Sequence, residues 1–268
     1  MVFFKDEREM YDFVLRIGFL LNNLNLDFTV LTGKFEQRST AFRILNFLMR
    51  HKGEVSYAEK EKFTLSELNL DFEFDYKDIG ILNSYFGAKK DGIIHFFSSN
   101  GKIFAQVKGL VFLIPFPHGV WELTETFISE AYGHFNLKNG TVVDIGAFIG
   151  DTAAYFASKG AKKILAFEAA PPIFRIAQEN IKMNELQNTV EIRNIAVTGR
   201  EGEIELSFYN SQPGSSSIVY KDLAYRSTYY QVKTTTLAQI MKEVAYVDSL
   251  KIYCAGTEYQ ILPLASKE

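Results

Sequence analysis

The stretch that decides the fold is Thr141-Val142-Val143-Asp144-Ile145-Gly146-Ala147-Phe148-Ile149-Gly150-Asp151-Thr152. It begins as an apolar run, turns through two glycines and ends where a helical pattern starts. Strands that are buried on both faces of a parallel sheet have such runs, and parallel strands need a helix between them. The stretch therefore predicts the first strand, turn and helix of a parallel α/β sheet.

The same pattern recurs twice downstream. Apolar runs predict strands at Lys163 to Phe167 and at Val190 to Ile195, and helical spacing predicts helices at Thr152 to Ser158 and at Pro172 to Asn184. The second helix has a proline near its start, where a helix tolerates the missing amide. Together these elements predict a βαβαβ unit of the Rossmann-like class.

A smaller α+β region precedes this unit. Apolar spacing predicts helices over Met10 to Leu24 and Ser39 to Gly53, and alternation predicts a strand over Asn69 to Tyr76. A turn at Asn100-Gly101 predicts a hairpin, which a third run over Leu110 to Ile114 extends. No chemistry can be inferred for this region, so a cap, a dimerisation surface and an inert scaffold are alternatives.

Pro115, Pro117 and Gly119 then interrupt the chain, and a helical pattern resumes over Glu122 to Phe135. We therefore place a domain boundary between residues 115 and 116. The expected domains are 1–115, of unknown role, and 116–268, which carries the Rossmann-like sheet.

Composition narrows the function classes. Lysine and arginine total 29 against 32 acidic residues, so no excess of positive charge predicts a nucleic-acid partner. The charged amino terminus is untypical of a secretory signal, and the apolar stretch from Leu110 to Pro117 is too short for a membrane span. A single cysteine and four histidines without ligand spacing predict no metal site. We expect a cytoplasmic protein without membrane or nucleic-acid partners.

Polar residues end the three predicted strands. The glycine turn after Asp144 places helix-terminal amides where a carboxylate or phosphate could bind, although a merely tight turn is the alternative. Glu168 ends the second strand, where an acid can accept hydrogen bonds from ribose hydroxyls. Asn194 ends the third strand and suits either an adenine edge or a turn. Glycine turn and acid together favour a nucleoside ligand.

Six motifs occur in a characteristic order. They are Glu125-Thr126-Phe127, Val143-Asp144-Ile145-Gly146-Ala147, Gly150-Asp151-Thr152, Ala166-Phe167-Glu168, Glu179-Asn180-Ile181-Lys182-Met183-Asn184 and Asn194-Ile195-Ala196-Val197. On these motifs the segment from Glu125 to about Leu262 resembles the FkbM family of S-adenosylmethionine-dependent methyltransferases. The resemblance implies a Rossmann-like class I methyltransferase sheet with S-adenosyl-L-methionine as cofactor.

The family pattern also implies a cofactor site. Asp144, Gly146 and Gly150 would surround the methionine part, Glu168 the ribose, and Asn194 or Ile195 the adenine. The neighbouring residues of the expected site are Ala147, Asp151, Thr152 and Ala169. No metal takes part in this expectation.

The late family motif, Lys-x-Asp-x-Glu-Gly-x-Glu, is altered. Here it is Lys251-Ile252-Tyr253-Cys254-Ala255-Gly256-Thr257-Glu258, so Tyr253 replaces the aspartate and Ala255 the first glutamate. A carboxylate beside the acceptor contributes roughly 10²–10⁴ in rate as a general base. The catalytic candidates that remain are Tyr253, Glu258 and Lys251; a helix-start acid and a solvated lysine are the alternatives for the last two.

The resemblance implies further strands that complete the sheet, but only 14 residues follow Cys254, so we expect the sheet to lack its last strands. The predicted strand from Ser249 to Cys254 would lie at an open edge unless Glu203 to Tyr209, Tyr229 to Thr235 or a second copy of the chain covers it. Truncation, a silent pseudoenzyme and a strand-sharing homo-oligomer are the alternatives.

The resemblance implies methylation of a hydroxyl group on a small molecule or a sugar. The alternative function is a catalytically silent methyltransferase-like binding or interaction module, which the missing acids favour. A nicotinamide-dependent dehydrogenase is disfavoured, because the turn offers Gly146 and Gly150 without the G-x-G-x-x-G spacing.

Overall fold

The computed structural model describes residues 55–58, 62–65, 70–73, 79–90, 92–115, 118–135, 137–209, 227–244, 246–254 and 256–265. The chain divides into two compact units, Met1–Phe86 and Gly87–Glu268. The helices predicted over Met10 to Leu24 and Ser39 to Gly53 lie outside the described residues.

In the first unit, three short strands form an antiparallel sheet in chain order. They are β1 (Val55–Ala58), β2 (Lys62–Leu65) and β3 (Leu70–Glu73). Strand β3 lies within the strand predicted over Asn69 to Tyr76. Helix α1 (Ile79–Lys90) follows and continues past the division between the units.

The second unit begins with an antiparallel meander of β4 (Ile94–Ser99), β5 (Lys102–Val107) and β6 (Leu110–Ile114). Asn100 and Gly101 have φ values of 51° and 70°, the left-handed pair that a tight hairpin turn requires, so the predicted hairpin is confirmed. The compact units divide before this meander. The functional boundary at residues 115 and 116 stays a prediction.

A helix then leads towards the parallel sheet. Helix α2 (His118–Leu123) continues directly into a π-helical turn (Thr124–Ile128), in which the Ser129 amide donates to the Thr124 carbonyl at 3.0 Å. The helix predicted over Glu122 to Phe135 therefore begins earlier, ends sooner and has a wider last turn. Such π-turns are frequent at functional sites.

The parallel sheet is built from four strands joined by helices. Its elements are β7 (Thr141–Ile145), α3 (Asp151–Ser158), β8 (Lys163–Phe167), α4 (Pro171–Met183), β9 (Val190–Arg193) and β13 (Ser249–Ile252). The strand order is β13-β7-β8-β9, with every pair parallel, which confirms the predicted Rossmann-like α/β class. The order reverses between β7 and β13, and ligands bind such sheets at the carboxyl side of that reversal.

The remaining strands form a separate sheet. They are β10 (Ala196–Val197), β11 (Gly202–Tyr209) and β12 (Ser227–Thr235), in the order β10-β12-β11. Because β11 pairs with β12, neither of them covers β13, which has one neighbouring strand among the described residues. Helices α5 (Leu237–Glu243) and α6 (Glu258–Ala265) cover one face of the parallel sheet. There, Ile240 and Ile261 pack on Val143 and Phe167.

Asn180 of α4 and Asn184, which directly follows this helix, hold the meander against it. The Asn180 amide exchanges hydrogen bonds of 2.6 and 3.0 Å with the Leu113 backbone, and Asn184 exchanges bonds of 2.8 and 2.7 Å with Val111. Asn180 also donates to the Ile149 carbonyl at 2.9 Å, inside the glycine turn. The two asparagines are four residues apart and therefore lie on the same side of the chain. Their side-chain amides form hydrogen bonds with the backbone of β6, as a neighbouring strand would.

We predict that Asn180→Leu destabilises the protein by about 3 kcal/mol or more in urea unfolding. The side chain is fully buried, and its loss leaves the Leu113 amide and two carbonyls without partners, each costing about 1–3 kcal/mol. The adjacent Glu179→Gln is the control, since its ion pair with Lys102 is exposed and worth less than about 1 kcal/mol. Equal midpoints for the two variants would contradict this role of Asn180.

Candidate functional site

A buried ion pair joins the two strands at the reversal point. Asp144 on β7 lies directly beside Lys251 on β13, and the two residues are 0% and 5% exposed. The Lys251 ammonium lies 3.0 Å from Asp144 Oδ1, without the alignment of a hydrogen bond, and donates to the Gly146 carbonyl at 2.7 Å. Thr152 donates to the other Asp144 oxygen at 2.5 Å. Strand, turn and helix start are thereby tied together.

The pair keeps its charges in the interior. Burial is the largest single effect and lowers the pKa of the Lys251 ammonium, but Asp144, Tyr132 and Asp151 together outweigh it and the pKa is raised. A buried charge without a partner is strongly unfavourable, so each member requires the other. Lys251, a catalytic candidate from the sequence, therefore has a structural role as the partner of Asp144.

Gly146 allows the β7 turn to approach the end of β13. Its φ is +82°, and a Cβ built there would lie 1.8 Å from the Tyr253 carbonyl oxygen. The Tyr253 amide also donates to the Ile145 carbonyl at 2.9 Å. Only glycine combines this backbone conformation with such an approach.

The amides of the turn are not free. Those of Gly146 and Ala147 both donate to the Phe167 carbonyl at 2.9 Å, and that of Phe148 donates to the Glu168 carboxylate at 2.9 Å. The expectation that amides after Asp144 are available to an anionic ligand is wrong for these three. The turn closes on the end of β8, and its donors are used inside the chain.

Glu168 lies between the turns that follow β7 and β8. Its two carboxylate oxygens accept from the Phe148 amide at 2.9 Å and from the Ala170 amide at 2.7 Å. Burial raises the pKa of Glu168 to about 7 in spite of these two donors. A carboxylate has about four acceptor positions, so two remain for hydroxyl donors of a ligand.

Asn194 braces the same edge of the sheet. Its side-chain nitrogen donates to the carbonyls of Glu168 at 2.8 Å and Ala169 at 2.9 Å. Both amide hydrogens are therefore used, which leaves its oxygen as the group available to a ligand. Ile195 is partly buried and packs against the core.

Carboxylates from α2 and α3 lie close to this edge. Asp151 begins α3, is 1% exposed and accepts from the Thr126 hydroxyl at 2.7 Å, and its burial raises its pKa to about 6. Burial, the Asp151 carboxylate and the Glu125 carboxylate raise the pKa of Glu122 to about 8. Glu122 was not among the site residues predicted from the sequence, although it lies one helical turn before the motif Glu125-Thr126-Phe127.

The other catalytic candidates differ in their surroundings. Tyr253 is 59% exposed, and burial of its hydroxyl together with Glu122 and Glu125 raises its pKa, so it can donate a hydrogen bond but remains protonated. Glu258 accepts from the amides of Cys254 at 2.6 Å and Gly256 at 2.7 Å.

Glu258 therefore has the contacts of the helix-start acid that was its alternative role. Its backbone donors lower its pKa although burial opposes them. Ala255 lies outside the described residues. Among the residues that the structure does describe, no three His, Cys, Asp or Glu side chains are grouped to hold a metal ion, and no helix is long and apolar enough to cross a membrane.

Comparison with known proteins finds a family match for part of the chain. Residues 144–268, a little under half of the chain, match the Methyltransferase FkbM domain. This segment is therefore similar to the FkbM methyltransferase domain family. The match begins at Asp144 and includes the ion pair, Glu168 and the altered late motif, and it confirms the resemblance found in the sequence.

Similar proteins were also found for parts of the chain. Methyltransferase sdnD of Sordaria araneosa is 32% identical over 97 residues, which are 35% of this chain and 38% of that protein. The chain thus matches well under half of the length of this curated relative.

The similarity to solved structures is low in sequence identity, in coverage and in TM-score. Pyrococcus horikoshii TYW2 in complex with MeSAdo is 18% identical, with 44% of this chain and 53% of that chain covered and a TM-score of 0.29. A Trypanosoma brucei PRMT1 enzyme-prozyme complex with AdoHcy is 20% identical, with 23% of each chain covered and a TM-score of 0.21. The family assignment rests on the FkbM domain match.

We predict that Gly146→Ala disrupts the FkbM domain whereas Gly150→Ala weakens it mildly. Both glycines have positive φ, which costs roughly 1–2 kcal/mol for alanine. A Cβ at Gly150 would meet its nearest atoms at 3.5 Å, but a Cβ at Gly146 would overlap the Tyr253 backbone. Thermal unfolding of the two variants separates the cost of the backbone conformation, which both share, from the cost of the overlap with Tyr253, which only Gly146→Ala has. Equal melting temperatures would refute the close approach of the β7 turn to the end of β13.

Proposed function

We propose that the chain is an S-adenosylmethionine-dependent methyltransferase that acts on a hydroxyl group of a small molecule or a sugar. The observation that carries the proposal is the Glu168 carboxylate, held by two backbone amides at the carboxyl end of β8 inside an FkbM domain. In that position it has acceptor capacity left for two ribose hydroxyls.

The chemistry of the edge fits this cofactor. S-adenosylmethionine carries a sulfonium and an ammonium, and the edge has the carboxylates of Asp144, Asp151 and Glu168 with one compensating ammonium, Lys251. A dinucleotide would bring a pyrophosphate, which needs free amides or cations. The turn amides of Gly146, Ala147 and Phe148 are already bonded, which disfavours a nicotinamide cofactor.

Each residue has a stated role in the proposal. Glu168 holds the ribose, and Ala169, Asn194 and Ile195 line the adenine side. Asp144, oriented by Lys251 and Thr152, faces the methionine part. When bound, the cofactor supplies an electrophilic methyl group, and the protein aligns an acceptor oxygen with it, which alone contributes a large part of the rate.

The second candidate function is a silent binding module of the same fold. It is favoured by the structural engagement of Lys251 and Glu258, which leaves the altered late motif without a free acid. Transfer of a labelled methyl group from S-adenosylmethionine to a hydroxyl-bearing small-molecule fraction separates the two candidates. Cofactor binding without any transfer would favour the silent module.

We predict that the protein binds S-adenosylhomocysteine and not NAD in calorimetric titrations, and that Glu168→Gln weakens this binding by about tenfold or more. Hydrogen bonds to a charged group are worth about 1.5–3 kcal/mol. Glu179→Gln, an exposed acid on α4, is the control and keeps wild-type affinity. Uptake of NAD alone, or of neither ligand, would overturn the cofactor assignment.

The pH dependence of this binding follows from Glu168. Its pKa is about 7 in the free protein, and ribose hydroxyls favour the ionised form. Affinity for S-adenosylhomocysteine should therefore rise as the pH increases towards about 7 and level off above it, because less work is then needed to remove the proton. In Glu168→Gln this part of the pH dependence should disappear; its persistence would assign it to another group.

A further inference from the structure

Glu122 is a partly exposed acid on α2. Among the described residues, Glu122 makes no hydrogen bond and no ion pair, although it is mostly enclosed. Leaving an enclosed acid unpaired is unfavourable, and such groups cluster at functional sites. Glu122 therefore requires a role that the fold itself does not supply.

The position of Glu122 brings it to the carboxyl ends of β7 and β13. It lies four residues before Thr126, whose hydroxyl holds Asp151 at the start of α3. Its carboxylate interacts electrostatically with Asp151 and with Lys251, and it also acts on the hydroxyl of Tyr253. An acid from α2 thus reaches the strand end where the late motif has lost its own.

The neighbouring acids and bases are already engaged. Lys251 is balanced by Asp144, Glu258 is bonded to two backbone amides, and Asp151 is buried under Thr126. Tyr253 stays protonated and cannot accept a proton. Glu122 combines partial exposure with electrostatic interactions with both Asp151 and Lys251, which separates it from these groups.

We infer that Glu122 is the carboxylate on the acceptor side of the site, in place of the acids absent at Tyr253 and Ala255. The inference rests on the proposed function and adds a catalytic residue to it. As the acceptor oxygen forms its bond to the methyl carbon, the bond between that carbon and the sulfonium sulfur breaks, and its electron pair stays on the sulfur, which becomes a neutral thioether. The O–H bond of the acceptor breaks as well, and its proton passes to Glu122, which later releases it to water. The acceptor leaves as a neutral methyl ether.

The ionisation of Glu122 suits this step. Burial and the carboxylates of Asp151 and Glu125 raise its pKa to about 8, and the Lys251 ammonium opposes them. A general base works best with a pKa near the working pH. A cation arriving in the crevice would favour the ionised form and so strengthen the base when the cofactor is bound.

A pair of cofactor analogues tests the inference without any acceptor. S-adenosylhomocysteine has a neutral sulfur, and sinefungin has an amine where the transferred methyl group would be. We predict that Glu122→Gln lowers the preference for sinefungin over S-adenosylhomocysteine by about tenfold, because an ionic hydrogen bond is lost. The dissociation constant for S-adenosylhomocysteine should stay within about twofold, since that ligand brings no charge to Glu122.

The pH adds a second readout. In the wild type the preference for sinefungin should grow as the pH rises from 6 to 8.5, because Glu122 loses its proton over that interval. In Glu122→Gln the growth should be absent. The groups that face Glu122 and titrate or carry charge are Asp151, Glu125, Lys251 and Tyr253, so Glu125→Gln is measured in parallel and Glu179→Gln is the exposed control.

The outcomes separate the two proposals. If the wild type binds S-adenosylhomocysteine and the preference is unchanged in Glu122→Gln, the inference is overturned and the proposed function stands. If Glu125→Gln removes the preference instead, the role belongs to Glu125 and the assignment to Glu122 is wrong. If neither analogue binds the wild type, the cofactor assignment fails and the inference fails with it. A purely structural effect would weaken both analogues together.

Discussion

The buried pair of Asp144 and Lys251 is the interaction on which the site depends. It lies where β7 meets β13, and its ammonium also binds the Gly146 carbonyl at 2.7 Å. Breaking such a pair by removing one partner costs about 3–5 kcal/mol, because the remaining charge stays buried. The position of the glycine turn, the start of α3 and the end of β13 are therefore set by one electrostatic contact.

This pair also determines the charge of the crevice. Lys251 is neutralised by Asp144, so in the part of the chain that the structure describes Asp151, Glu122 and Glu168 form no ion pair of their own. Burial is the main cause that raises the pKa of all three, to about 6, 8 and 7, and other carboxylates nearby add to it. An edge of this kind attracts a cation and repels a pyrophosphate, which is why the charge pattern supports a sulfonium ligand more directly than the glycine spacing does.

The sequence was sufficient for the elements that depend on local pattern. Apolar runs and the left-handed glycines predicted β7, β8, the turn and α3, because a buried parallel strand and a tight turn restrict residue type at each position. Contacts between distant segments were not predictable. The amides of Gly146 and Ala147 are bonded to Phe167, and Asn180 is bonded to Leu113, through spatial neighbours that no spacing in the chain specifies. The π-turn of Thr124–Ile128 was missed for the same reason.

The altered late motif can be divided into two parts with different physical purposes. Lys251 serves its neighbour Asp144, and Glu258 serves the amides of its own helix start, so both are required whether or not a methyl group is transferred. Of the two residues that changed, Tyr253 has a largely exposed side chain. Retention of Lys251 and Glu258 is therefore no sign of catalysis. Loss of the acids at positions 253 and 255 is likewise no proof that the protein is catalytically silent. What would distinguish an enzyme from a binding module is a carboxylate supplied to the acceptor side by another element, which is the role proposed for Glu122 on α2.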